Sequence, residues 1–146
     1  MNPYITLVAF HVAVAVCSIG PLFALALLTK RPPLPDGAPR PMPPEPALRA
    51  FGRLLRLSQL GLVLMFLSGG ILLGMAHGAF TSSAWMVTSL ILVAALGALS
   101  GMAQKNLKNA AGPRGTINHV NRAHNHLRVM CLLVIAIVWL MQAKPF

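Results

Sequence analysis

The chain has 146 residues, of which 56% are hydrophobic and only 10% are charged. An average soluble domain is about 25% charged, so this composition excludes an ordinary water-soluble protein. The formal net charge of +10 would suit a nucleic-acid-binding protein, but the positions of the cations along the chain exclude that class.

Three long segments contain no Asp, Glu, Lys or Arg, and each predicts a transmembrane helix. They are Ile5–Leu28, Leu57–Ala76 and Ala84–Ala103, and a spanning helix needs about 20 apolar residues. A fourth apolar run, Val129–Met141, is shorter and must include the preceding polar turn to cross a membrane. We therefore expect one all-α domain over residues 1–146, a bundle of four transmembrane helices at about 4–29, 50–77, 84–104 and 120–143.

The basic residues are distributed unevenly about these helices. All of the lysines and arginines except Lys144 lie between helices one and two or between helices three and four. Cytoplasmic loops of membrane proteins carry such an excess of Lys and Arg. The pattern predicts a bacterial inner-membrane protein with both long loops in the cytoplasm and both termini outside. Its expected partners are membrane lipids, with another membrane protein or a second copy as further candidates, and no nucleic acid.

Helix one carries a line of small side chains and a proline. Ala13, Cys17, Gly20 and Ala24 recur at spacings of four, three and four residues, and small residues let membrane helices approach closely. We expect this face to pack on a partner helix. Pro21 cannot donate a hydrogen bond to the carbonyl of residue 17, which predicts a kink.

The segment that follows, residues 31–46, contains eight prolines and both acidic residues of the chain, Asp36 and Glu45. Such a segment predicts extended polyproline II structure and excludes a helix. We interpret it as a stiff cytoplasmic spacer, with a docking site for a partner protein as the alternative.

Helices two and three each contain glycines spaced four residues apart. Gly70, Gly74 and His77 share one face of helix two by their spacing of four and three residues, and Gly97 and Gly101 form a second pair on helix three. The simplest interpretation of both sets is close helix–helix contact. The alternative for Gly70 and Gly74 is a flat wall, without side chains, against which a haem would lie.

His11 is the candidate ligand of the first helix. It lies about 10 Å below the predicted outer end of the helix, in an otherwise apolar segment. Ionisable residues inside a membrane span mark functional sites by default. One hypothesis makes His11 an axial ligand of b-type haem, with His77 as a second axial ligand, and the other makes it a packed residue that bonds a neighbouring carbonyl or hydroxyl.

Copper is a second cofactor that the outer third of the bundle could bind. Met75, Met86 and Met141 are predicted to lie there with His11 and His77, and soft nitrogen and sulfur ligands suit Cu(I). Methionine is also a common filler of apolar cores, so ordinary packing is the competing interpretation.

Four arginines are candidates for binding an anion or a lipid headgroup at the cytoplasmic surface: Arg53, Arg56, Arg122 and Arg128. The first two follow Arg49 on one stripe of helix two, where they would meet anionic lipids. The other two lie in "NHVNRAHNHLR", residues 118–128, at the mouth of helix four. A polar interfacial cap is the alternative for that segment. We find no nucleophile–base pair, paired carboxylates or phosphate-binding glycine loop, so no catalytic residue is predicted.

Both ends of the chain resemble small bacterial membrane proteins. "AFHVAVAVCSIGPLF", residues 9–23, is similar to the first helix of a loose group in which an early histidine precedes a small-residue turn and an aromatic. "IAIVWLMQAKPF", residues 135–146, resembles the tail of the haem-containing, four-helix protoporphyrinogen IX oxidases of bacteria (the J type). The copper-resistance D family and several membrane families of unknown function share the general layout.

This resemblance implies a four-helix bundle with His11 at the position of the haem-linked histidine. The oxidases carry an acidic residue before the last helix, where this chain has Leu127 and Arg128. The resemblance therefore implies haem binding more directly than oxidase activity. Three classes of function follow: a b-type haem protein in electron transfer or porphyrin chemistry, a non-catalytic module of a larger membrane complex, and a copper-handling protein.

Overall fold

The computed structural model describes residues 3–29, 41–75 and 84–143. They form four α-helices: α1 (Pro3–Leu28), α2 (Glu45–Met75), α3 (Ala84–Ala111) and α4 (Ile117–Ala143). The predicted all-α four-helix bundle is confirmed. The helices have 26 to 31 residues, which corresponds to about 40 to 45 Å at the helical rise.

All four helices are long and apolar enough to cross a membrane, with a mean hydropathy of 1.8 to 2.2 over their most apolar windows. Large apolar side chains also cover the outside of the bundle, among them Leu27, Leu60, Ile91 and Leu132. A helix that is apolar on every side belongs in a protein interior or in lipid. The chain is accordingly a multi-pass membrane protein.

Three helix boundaries differ from the predicted ones. Helix α2 begins at Glu45, so Glu45 and Pro46 are helical and the prediction of a non-helical segment through residue 46 is wrong there. Proline is tolerated in a first helical turn, where its missing N–H has no partner anyway. Helix α3 continues to Ala111, and α4 starts at Ile117. These polar extensions remain helical because Leu107 is buried in the bundle and Ile117 packs against its core.

The helices run alternately up and down, and each packs against two neighbours in the ring α1–α2–α3–α4. We call the end where α1 starts and α4 finishes the terminal end. The opposite end, where α2 starts and α3 finishes, carries the described arginines and lysines and is called the basic end.

The tightly packed core lies toward the basic end. Its fully buried large side chains come from the later turns of α1 and α3 and the earlier turns of α2 and α4: Leu22, Leu25, Leu55, Leu96, Leu107, Leu127 and Met130. The terminal half is packed less completely and contains a cavity.

The predicted small-residue seam of α1 does not pack within the bundle. Ala13, Cys17, Gly20 and Ala24 are all exposed, and α1 instead buries Ser18, Leu22 and Leu25. The buried residues of α1 recur at nearly the same spacing as the seam residues, but they lie about one position later in the chain. One residue of a helix corresponds to a rotation of about 100°, so the buried face and the seam point in different directions. The partner helix expected for this seam is therefore not found among the described helices of the chain.

The glycine pair of α3 follows the same pattern. A Cβ added to Gly97 or Gly101 would have no described atom of another element within 4 Å. Helix α3 packs through Leu96 and Ser100, each one residue earlier, and through Ala103. The prediction that this pair lies in a helix–helix contact of the bundle is also wrong.

The closest contact between α1 and α2 lies at Gly61. A Cβ on Gly61 would lie 2.0 Å from Ser18 Oγ, so the two helices approach closely only because this residue is glycine. Beside it, the hydroxyl of Ser58 donates to the carbonyl of Ser18 (2.6 Å). Pro21 has no N–H to donate to the carbonyl of residue 17, and the carbonyl of Ser18 is the next one along the helix. Helix α1 continues through Pro21 to Leu28.

Candidate functional site: a histidine in an apolar cavity

A cavity of about 510 Å³ lies in the terminal half of the bundle and is lined by all four helices. Its walls are almost entirely apolar, with His11, Tyr4, Trp85 and Ser89 as the side chains that carry polar atoms. Ligand pockets in proteins typically measure about 300 to 1,000 Å³ and have apolar walls with few polar groups. The cavity therefore has the size and chemistry of a site for an apolar ligand, and we call it the terminal cavity.

A hydrogen bond joins the imidazole of His11 to helix α2. Its Nδ1 lies 2.8 Å from Oγ of Ser68 on α2, and the Ser68 hydroxyl donates its proton to the carbonyl of Met65 (3.1 Å). In the arrangement where Ser68 donates to that carbonyl, its oxygen accepts from His11, and Nδ1 carries the ring proton. The other nitrogen, Nε2, then keeps its lone pair, as a metal-ligating histidine requires.

Gly69 makes room for this imidazole. A Cβ at residue 69 would lie 3.2 Å from Cε1 of His11, closer than ordinary van der Waals contact between carbons. Gly69 and Ser68 are consecutive residues of α2, so the same turn supplies both the acceptor for Nδ1 and the space for the ring.

The other predicted ligand residues are placed as follows. Gly70 lines the terminal cavity, whereas Gly74 does not line it and is exposed. Thus only one of the two glycines predicted to form a wall lies at the cavity. His77, the predicted second ligand, lies outside the described residues.

Methionine residues line the cavity at three positions. Met86 and Met141, both predicted to lie in this region, do so together with Met65, which the sequence reasoning did not select. Met75 is not among the lining residues. Among the described residues, no three His, Cys, Asp or Glu side chains are grouped so that they could hold a metal ion.

A second histidine makes a similar bond at the basic end. Nδ1 of His124 lies 2.8 Å from Oγ1 of Thr29, and the Thr29 hydroxyl donates to the carbonyl of Leu25 (2.6 Å). With its proton donated to that carbonyl, the Thr29 oxygen accepts from His124 in the tautomer whose Nδ1 carries the ring proton. This bond joins the last turn of α1 to the first turns of α4, so His124 has a structural role that the sequence did not reveal.

Replacing Thr29 with valine is expected to destabilise the bundle by about 1 kcal/mol, because the hydrogen bond from His124 is lost. Thr88 provides a matched control, since its hydroxyl bonds the Ala84 carbonyl of its own helix, and Thr88→Val should change stability less. Thermal unfolding in detergent compares the two variants. Equal effects would show that the bond between α1 and α4 contributes nothing measurable.

The four predicted anion-binding arginines separate into two pairs. Arg53 and Arg56 line a smaller cavity at the basic end. Arg122 and Arg128 are exposed on α4 and line neither this cavity nor the terminal one.

Comparison of the chain with protein-family models, with curated proteins and with solved structures gives no match. The assignment of a function therefore depends on the geometry of the terminal cavity and on the chemistry of its residues.

Proposed function

We propose that the protein binds b-type haem in the terminal cavity, with Nε2 of His11 as an axial ligand, for electron transfer or porphyrin chemistry. The observation that carries the proposal is the hydrogen bond between Nδ1 of His11 and Ser68, which holds the ring of a histidine that lines an apolar cavity and leaves Nε2 as the nitrogen that would bind the iron. Histidine ligands of metals almost always donate their other ring N–H to a fixed acceptor in this way.

The residues of the cavity suit haem in three further respects. The volume of about 510 Å³ lies within the range of cofactor pockets. A lone histidine is sufficient, because haem brings four nitrogen ligands of its own. The cavity reaches the terminal turns of the helices at Tyr4, Trp85 and Met141, where the acidic groups of a porphyrin would meet water.

The roles of this chain's own residues follow from their positions. Ser68 would orient the imidazole of His11, Gly69 gives the ring space, and apolar lining residues such as Leu62, Leu96 and Val134 would keep water from the bound group. When bound, haem would supply the one-electron redox chemistry, whose potential depends on axial ligands and burial.

The absorption spectrum of the purified protein tests this proposal. Protein expressed with ample haem precursor and purified in mild detergent is expected to show a Soret band and to bind about one haem per chain. A protein that stays colourless after incubation with excess haem would contradict it. That result would favour the non-catalytic module, which binds another membrane protein or a second copy.

Ser68→Ala is expected to weaken haem binding about 10- to 100-fold, the usual effect of removing a partner that orients a ligating histidine. Ser89→Ala is the matched control, because Ser89 also lines the cavity but donates to the carbonyl of Trp85. Haem titration of the two variants measures the difference. Equal affinities in both variants would mean that the bond to Ser68 does not prepare His11 as a ligand.

We also propose that the chain lies in a bacterial inner membrane with the basic end in the cytoplasm. The support is the sequence position of every Lys and Arg except Lys144: each falls in the segments that join α1 to α2 and α3 to α4 or in the adjoining parts of these helices. Fusion of reporter proteins tests this orientation: a reporter at the C-terminus should be active only if it functions outside the cytoplasm. Activity of a cytoplasmic reporter at that position would reverse the proposed orientation.

Copper binding is the second candidate for the same cavity. It is favoured by the three methionines Met65, Met86 and Met141, which line the cavity together with His11, since thioether sulfur and imidazole suit Cu(I). Metal analysis of the purified protein distinguishes the two candidates, because stoichiometric copper without a Soret band would support copper handling.

A further inference from the structure

A second cavity, of about 210 Å³, lies between α2 and α3 at the basic end. We call it the basic pocket. Its lining includes four cationic side chains, Arg49, Arg53 and Arg56 of α2 and Lys108 of α3, and, among the residues that the structure describes, no acidic one. Cations gathered in a concave site repel one another unless an anion joins them, so the pocket has the composition of an anion-binding site.

Two of these cations are unpaired within the described part of the chain. Arg49 forms an exposed ion pair with Glu45, one helical turn away. Arg53 and Lys108 have no ion pair or hydrogen bond with a described side chain. Their charges lie on different helices and face the same pocket, so they would reach one anion from two sides.

Arg56 is oriented by a residue of the opposite helix. The side-chain amide of Gln104 is oriented so that its donor and its acceptor each find a partner. In this orientation Oε1 of Gln104 accepts a hydrogen bond from Nε of Arg56 (3.0 Å), and Nε2 of Gln104 donates one to the carbonyl of Gly52 (3.2 Å). This contact uses one edge of the guanidinium and leaves the two terminal nitrogens as donors. A planar guanidinium with two free nitrogens matches the geometry of a phosphate group.

The whole chain has too few acids to neutralise such a site. It contains 12 Lys and Arg residues against two Asp and Glu residues, and one of those two, Glu45, is already paired with Arg49. The negative charge opposite Arg53, Arg56 and Lys108 therefore has to come largely from another molecule.

The depth of the pocket indicates which molecules are available. Arg56 directly precedes Leu57, where the charge-free run of α2 begins, so the pocket lies at the level of the lipid headgroups. Its remaining lining is partly apolar, with Leu48 and Leu107. Basic pockets between transmembrane helices at the cytoplasmic surface are typical sites for phosphate-bearing headgroups.

We propose that the basic pocket binds a phosphate group, with Arg53, Arg56 and Lys108 as donors and Gln104 as the residue that positions Arg56. The phosphate can belong to an anionic phospholipid or to free inorganic phosphate. This inference is independent of the terminal cavity and of haem, because the two sites lie at opposite ends of the bundle and share no lining residue.

The test compares ligand-induced thermal stabilisation in a neutral detergent. Purified protein is titrated separately with phosphatidylglycerol, with the zwitterionic phosphatidylcholine and with sodium phosphate at constant ionic strength. The variant Arg53→Gln/Lys108→Gln removes two donors and retains the contact between Arg56 and Gln104. The matched control Lys105→Gln/Arg114→Gln removes two exposed cations of the same end that do not line the pocket.

We expect phosphatidylglycerol to raise the melting temperature of the wild-type and control proteins, and its apparent affinity to fall at least about tenfold in Arg53→Gln/Lys108→Gln. A response to sodium phosphate that is lost in the same variant would identify free phosphate as the source. Three results would overturn the proposal: no response to either source, equal responses to phosphatidylcholine and phosphatidylglycerol, or an Arg53→Gln/Lys108→Gln response equal to that of the control.

Discussion

Gly61→Ala is expected to destabilise the bundle by about 1 to 3 kcal/mol, the usual effect of forcing a methyl group into a well-packed contact. The new Cβ would lie 2.0 Å from Oγ and 2.9 Å from Cβ of Ser18. Rotation of the Ser18 hydroxyl would break its bond to the carbonyl of Val14 and would still leave the Cβ contact too short. Helix α1 would have to move away from α2, and thermal unfolding in detergent measures the loss.

The same change at Gly101 is the control for this prediction. No described atom of another element lies within 4 Å of the Cβ position there, and alanine is the better helix former by about 1 kcal/mol. The Gly101→Ala protein should therefore be as stable as the wild type or more stable. A Gly61→Ala protein with unchanged stability would contradict the described contact between α1 and α2.

His11→Ala is expected to remove the Soret band, because the alanine side chain offers no ligand to the haem iron. Haem that remains in the apolar cavity without an axial bond should dissociate during purification. The absorbance of wild-type and variant proteins at equal concentration measures this loss. The substitution also removes the bond to Ser68, so thermal unfolding should be recorded to show that the variant protein is folded.

His126→Ala is the matched control for that variant. His126 lies in α4 near the basic end and does not line the terminal cavity, so its removal should leave the Soret band unchanged. A band that survives in His11→Ala and disappears in His126→Ala would transfer the proposed site to the basic end of the bundle.

The existence of the four helices could be predicted because three spans contain no charge and the fourth contains the charge-free run Val129–Met141. A charge-free run such as Leu57–Ala76 has no stable location outside lipid or a large core. The helix ends were less predictable, since residues that continue a helix beyond the membrane are polar. Helix α3 extends through Lys105 and Lys108 because Ala103 and Leu107 remain buried on its inner side.

The packing faces could not be predicted from the spacing of small residues. Gly20 and Gly101 have the spacing of contact residues, but the structure leaves them exposed. A helix that is apolar on every side carries almost no signal for its rotation about its own axis. Gly61, which does form the close contact, lies among leucines with Ser58 as its nearest small neighbour on that side, a pattern too common to identify the face.

The central residue of the candidate site could be selected from the sequence, whereas the residues that surround it could not. His11 could be selected because an ionisable residue inside a membrane span is unusual. Ser68 and Gly69 could not be selected, because their contact with His11 depends on how α1 and α2 are aligned. Serine is common in membrane helices and gives no separate signal.

The most direct test of the proposed ligation is chemical rescue of the His11→Gly variant. Removing the side chain leaves space in the terminal cavity for free imidazole, which would supply the same nitrogen ligand without a bond to the chain. We predict that His11→Gly purifies without a Soret band after incubation with haem, and that adding imidazole restores both haem binding and the wild-type spectrum. A His11→Gly protein that binds haem with the wild-type spectrum in the absence of imidazole would contradict the assignment of His11 as the ligand.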